Sequence, residues 1–197
     1  MDIHVAFFKV KMSGGEILDA RRVYKDLRYW LIQEGYATPA AGDFPETYFW
    51  QEETMKQGKT YWIWWRPYKK VGVFSSGMAK FIRRVMKINI HGLKLKETEI
   101  MHQGKKVKVM KGTFEIYVHA MLHFEMGDWE HGSAFKQSLF EIFWKRIYTK
   151  KIATYKKDVL NDSYKIQAYL KRIFNMDTWT AEQEEYYAKF GLSDTEF

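Results

Sequence analysis

A chain of 197 residues, 46% hydrophobic and 18% aromatic, is long enough to bury one sizeable core and too apolar to remain disordered. It contains no cysteine, which excludes disulfides, thiolate metal sites and thiol nucleophiles and fits an intracellular, cytoplasmic protein. The net charge of +8 is unevenly spread: residues 56–112 carry 15 Lys or Arg against Glu97 and Glu99 alone, a local +13, while the segments before and after stand at −3 and −2.

Ile3, Val5 and Phe7 alternate with His4, Ala6 and Phe8, which predicts a first strand over residues 3–11. Ser13-Gly14-Gly15-Glu16 has the spacing of a capping box and predicts a helix whose stripe is Ile17, Ala20, Tyr24, Leu27 and Leu31, stopping at Gly35. Residues 36–45, with Pro39, Gly42 and Pro45, read as a loop. The period then becomes two: residues 46–54 and 59–66 form a predicted hairpin, and a looser stretch over 67–77 follows. Residues 78–91 alternate as one strand, over 40 Å long at about 3.3 Å per residue, so it must curve or carry a bulge. A second predicted hairpin pairs 93–102 with 105–110, and 113–125 is a last strand with Phe114, Ile116, Val118, Ala120, Leu122 and Phe124 on its core face. Ser133 is the expected cap of a helical segment broken near 148–149 and again at 161–163, and Thr180 caps a short acidic helix ending near Phe190.

The fold class is therefore α+β: a strongly curved antiparallel sheet of about six to seven strands, one N-terminal helix and a long C-terminal helical segment. Residues 1–177 form a single domain and 178–197 a short acidic helical tail. This element order resembles the helix-grip topology of START and Bet v 1-like proteins, in which a curved sheet wraps a C-terminal helix. The resemblance implies an apolar cavity between sheet and helix.

No sequence of 18 apolar residues exists, so neither a membrane span nor an export signal is expected. Gly58-Lys59-Thr60 ends like a phosphate-binding loop, but Glu53 stands where that motif needs glycine and a strand follows. No dinucleotide fingerprint or nucleophile elbow occurs, so neither a cofactor nor a catalytic residue is assigned. The one metal candidate is Glu115, His119, His123 and Glu125 on one strand face, with His131 beyond; about 13 Å between His119 and His123 on a flat strand argues against a shared ion.

The strongest local signal is Trp62, Trp64 and Arg66 on one face of a strand, with Tyr61, Ile63 and Trp65 on the other. With Tyr48 and Trp50 beside them and Arg83, Lys87, Lys106 and Lys108 on strands beyond, they outline an aromatic and basic platform for nucleic acid, RNA rather than DNA. The local +13 supports this reading, since such a field attracts phosphates. A further basic set, Lys145, Arg146, Lys150, Lys151, Lys156 and Lys157, recurs along the helical tail. Three other binding roles compete. One is carriage of an apolar or amphipathic ligand in a helix-grip cavity lined by Trp65, Ile82, Ile116, Phe143 and Ile147; the others are attachment to an anionic membrane and protein interaction through the acidic tail.

Overall fold

The structure, a computed structural model, describes residues 2–13, 17–38, 41–54, 58–71, 82–102, 105–125, 133–142, 146 and 148–174. Strand β1 covers Asp2–Met12 and is followed by a two-residue strand, β2, at Ile17–Leu18. Helix α1 then spans Ala20–Gln33. Its cap is Asp19, whose Oδ1 accepts from the Arg22 amide at 3.1 Å, not Ser13 as the capping-box spacing predicts. Ile17 is correspondingly not a helix residue, because the chain first pairs Ile17 and Leu18 with Lys111 and Met110 at the sheet. Val23, Leu27, Trp30 and Leu31 form the buried stripe of α1, and Gly35 follows its end at φ +74°, a conformation that favours glycine.

Strands β3 (Glu46–Thr54) and β4 (Gly58–Trp65) make the expected hairpin, and a short strand β5 (Tyr68–Lys70) lies in the stretch that reads as loose. Four expected strands turn out to be two: β6 covers Ile82–His102 and β7 covers Lys105–Phe124, one long antiparallel pair. The misleading residues are Gly92 and Gly112, which read as strand ends. Both instead make room on the inner face for Leu95: a Cβ on Gly92 would stand 2.7 Å from its Cδ1, and one on Gly112 would stand 2.8 Å from its Cδ2 and 2.8 Å from the Lys94 carbonyl oxygen. The bulge that the length of β6 demands sits there, where the register shifts between Leu93 and Lys96 and Lys94 takes φ +54°. Gly112→Ala is accordingly expected to lower stability by about 1–3 kcal/mol in urea unfolding. Gly42→Ala, with nothing within 4 Å of the new methyl, should stay within about 0.5 kcal/mol.

The main sheet order is β1-β7-β6-β4-β3, with β2 on β7 and β5 on β6, every pairing antiparallel. Register shifts between His4 and Ala6, Glu46 and Tyr48, and Lys59 and Tyr61 add to the one in β6, and the open sheet curves. Helix α2 spans Ala134–Ile142 and α3 spans Thr149–Ile173. The break expected at residues 161–163 is absent. Polar Asp162 and Ser163 are buried inside α3, where Asp162 accepts from the Tyr36 hydroxyl at 2.7 Å and faces Arg84 at 3.4 Å. The acidic tail lies outside the described residues, as does Glu16 of the expected capping box.

Helices α1 and α3 both pack on the inner face. One core cluster joins Leu27 and Leu31 to Trp65, Ile88, Ile116 and Ile166; a second joins Ile82, Ala120, Leu122 and Phe124 to Val159. Among the described residues, no helix is long and apolar enough to cross a membrane.

Candidate nucleic-acid interface

Strict alternation sends Ile63 and Trp65 into the core and leaves Trp62 and Trp64 on the outer face. The β3–β4 register then sets Tyr48 opposite Trp64 and Trp50 opposite Trp62, and the β4–β6 register sets Trp64 beside Asn89 and Trp62 beside His91. Rings meet along this row: Tyr48 and Trp64 centroids are 4.6 Å apart, Trp62 and His91 4.1 Å, His91 and Tyr117 5.2 Å. Tyr48, Trp50, Trp64 and Tyr68 are each 37–43% exposed, whereas Trp65 has no exposure at all. Trp65 is held by a hydrogen bond from Nε1 to Glu46 at 2.8 Å and by edge contacts from Tyr24 and Phe44.

Cations border the row. Arg66 lies 5.8 Å from the Trp64 ring, and its Nη1 donates to the Trp65 carbonyl at 2.7 Å and to Asn89 Oδ1 at 2.8 Å. Burial pushes its pKa down from the ordinary value. Arg83 stands 4.7 Å from the Tyr68 ring and pairs with Glu125 at 2.5 Å. Lys70 and Lys87 share this face and make no ion pair among the described residues. Lys9 lies 4.8 Å over the Tyr117 ring and, with Lys11, pairs with Glu115.

Of the residues singled out from sequence, Trp62, Trp64, Arg66, Arg83 and Lys87 come together on this face. Lys106 and Lys108 do not: they share the alternation of Gly112 and Phe114, on the opposite side of the β6–β7 ribbon, with Lys108 directly across from Glu99. The local +13 is likewise divided. Arg84 points inward to Asp158 and Asp162, Lys59 pairs with Glu97, and Lys69 donates to the Glu34 carbonyl. Lys150, Lys151, Lys156 and Lys157 are exposed on α3, beyond the inner face, so they do not extend the platform; Lys145 lies outside the described residues.

The residues expected to line a helix-grip cavity are only partly described. Trp65 and Ile116 are fully buried in one core cluster and Ile82 in the second; Phe143 and Ile147 lie outside the described residues. The metal candidates are each engaged elsewhere: Glu115 by Lys9, Lys11 and Tyr117, His119 by His4 at 2.8 Å, His123 by Asp2 at 2.6 Å, and Glu125 by Arg83. His131 is outside the described residues. No group of three metal-binding side chains converges among the described residues.

Sequence reading missed His91, Tyr117, Tyr68 and Lys70 as members of the face. The signal for His91 was present in its alternation with Lys87 and Asn89, but only the register places it against Trp62.

Burial lowers the pKa of His91 and of His119 below 6.5, with His4 and Lys87 adding to the effect at His119. Unfolded histidines take up protons at about pH 6.5 while these two do not. Stability should therefore fall as pH drops through the 6.5 region toward their lower folded values, and His91→Gln should flatten that dependence. The Glu115 carboxyl, lowered first by the Tyr117 hydroxyl and then by Lys9 and Lys11, gives way only under stronger acid. Urea midpoints followed from neutral to mildly acidic pH check this; a wild-type midpoint that does not move contradicts it. Compared with known proteins, the chain matches no family model, no curated protein and no solved structure.

Proposed function

We propose that the protein binds single-stranded nucleic acid, RNA in preference to DNA, on the outer face of its sheet. The observation that carries this reading is the register of Tyr48, Trp50, Trp62 and Trp64, which lines up rings beside Arg66, with Lys87 and Lys70 further along the same face. Unpaired bases stack on such rings whatever their sequence, while phosphates meet the bordering cations. A duplex hides its base faces and gains little from the rings. His91 and the Asn89 amide stand among them and offer partners for a 2′-hydroxyl, which supports the preference for RNA.

The test is fluorescence anisotropy of labelled single-stranded RNA, single-stranded DNA and duplex DNA at about 50 and 200 mM salt. With three phosphate contacts, at Arg66, Lys70 and Lys87, a single strand should bind roughly 15–20 times more weakly at the higher salt. Tryptophan emission should quench in parallel. Absence of binding at low salt, or duplex binding as tight as single-strand binding, contradicts the reading.

A further inference from the structure

On the opposite side of the sheet from the Trp64 row, the first turn of α1 and strands β3, β4, β6 and β7 enclose a cleft of about 300 Å³. Its walls are the rings of Tyr24, Phe49, Tyr61 and Phe114, with Ile90 at its base. The polar atoms nearby are largely spent. The Tyr24 hydroxyl donates to Glu46 Oε2 at 2.8 Å, and the same oxygen accepts from Trp65. Burial, followed by that bond, pushes the tyrosine pKa up to about 12, so the hydroxyl stays protonated and engaged with Glu46. Arg21 is different: it lines the opening, is exposed, and forms no hydrogen bond or ion pair among the described residues. Its neighbour Arg22, by contrast, is paired with Asp26 at 3.5 Å.

An apolar, ring-lined space with one convergent cation is the make-up of a small-ligand site, and its volume is at the lower end of the range for such sites. We infer that the cleft binds a small amphipathic anion, a single aromatic or short aliphatic body inserted among the rings with its acidic group on Arg21. This is a different place from the closed core around Trp65 and Ile116, and it does not depend on what the outer face binds.

Two dyes of nearly the same body separate the parts of this proposal: anilinonaphthalene sulfonate, which carries the anion, and N-phenylnaphthylamine, which does not. Each should saturate one site on the intact protein, read as enhanced dye emission. Arg21→Gln should weaken the sulfonate about tenfold, the effect of losing a charged hydrogen bond, and leave the neutral dye unchanged. Phe49→Ala, at a half-exposed wall, should weaken both, with circular dichroism confirming that the fold is kept. Sulfonate binding that ignores Arg21→Gln, dye uptake that ignores Phe49→Ala, or no saturable binding of either dye overturns the proposal.

Discussion

Arg84→Ala should cost on the order of 3–5 kcal/mol in urea unfolding, the largest single loss expected at a charged residue among those described. Arg84 is the one cation of β6 that alternation sends inward, on the face of Ile82, Met86 and Ile88. It meets Asp158 of α3 at 2.6 Å and Asp162 at 3.4 Å, and Asp162 also takes the hydroxyl of Tyr36 from beyond the end of α1. The guanidinium ties β6 to α3, and Asp162 joins the segment after α1 to them. Removing the guanidinium leaves Asp162 buried with a single neutral donor among the described residues, Tyr36, which is why the cost exceeds that of losing a surface pair. Arg84→Met/Asp162→Leu/Tyr36→Phe, which removes both charges and the hydroxyl that Asp162 accepts from, should recover most of the loss. A deficit below about 1 kcal/mol for Arg84→Ala would mean that this network does not dock α3.

The second large effect belongs to the outer face. Trp64→Ala should weaken single-stranded RNA by roughly 1–3 kcal/mol, about five- to 150-fold, while leaving the urea midpoint nearly unchanged. Trp62→Ala should lose at least as much affinity, because its ring also props His91 at 4.1 Å. Trp65→Ala, one residue along the same strand, should behave in the opposite sense and cost about 3–5 kcal/mol of stability, since that ring is wholly buried. Binding anisotropy and urea midpoints on the three variants read the two effects separately. Equal affinity for wild type and Trp64→Ala would remove the rings from the account.

These contrasts also mark how far the sequence alone reaches. The period-two alternation through Trp62–Trp65 was enough to divide the strand into two aromatic faces, and the charge count located the cationic segment. Alternation cannot say which face is buried when both are aromatic; that follows only once α1 and α3 are seen packing beside Ile63 and Trp65. Nor can a linear count show that Arg84 turns inward or that Lys106 and Lys108 fall behind the platform. Gly92 and Gly112 misled because a glycine that admits a neighbouring Leu95 looks, in sequence, like one that ends a strand. Asp162 misled for a similar reason: a polar cluster inside a helix reads as a break unless its buried partner, Arg84, is known.

RNA lying across the outer sheet face should be caught by photo-crosslinking. A single-stranded RNA containing thiouridine is irradiated with the intact protein, and the modified peptides are mapped by mass spectrometry. Adducts are expected on the peptides holding Tyr48–Trp50 and Trp62–Arg66. Adducts confined to the lysines of α3, Lys150 to Lys157, would contradict that placement.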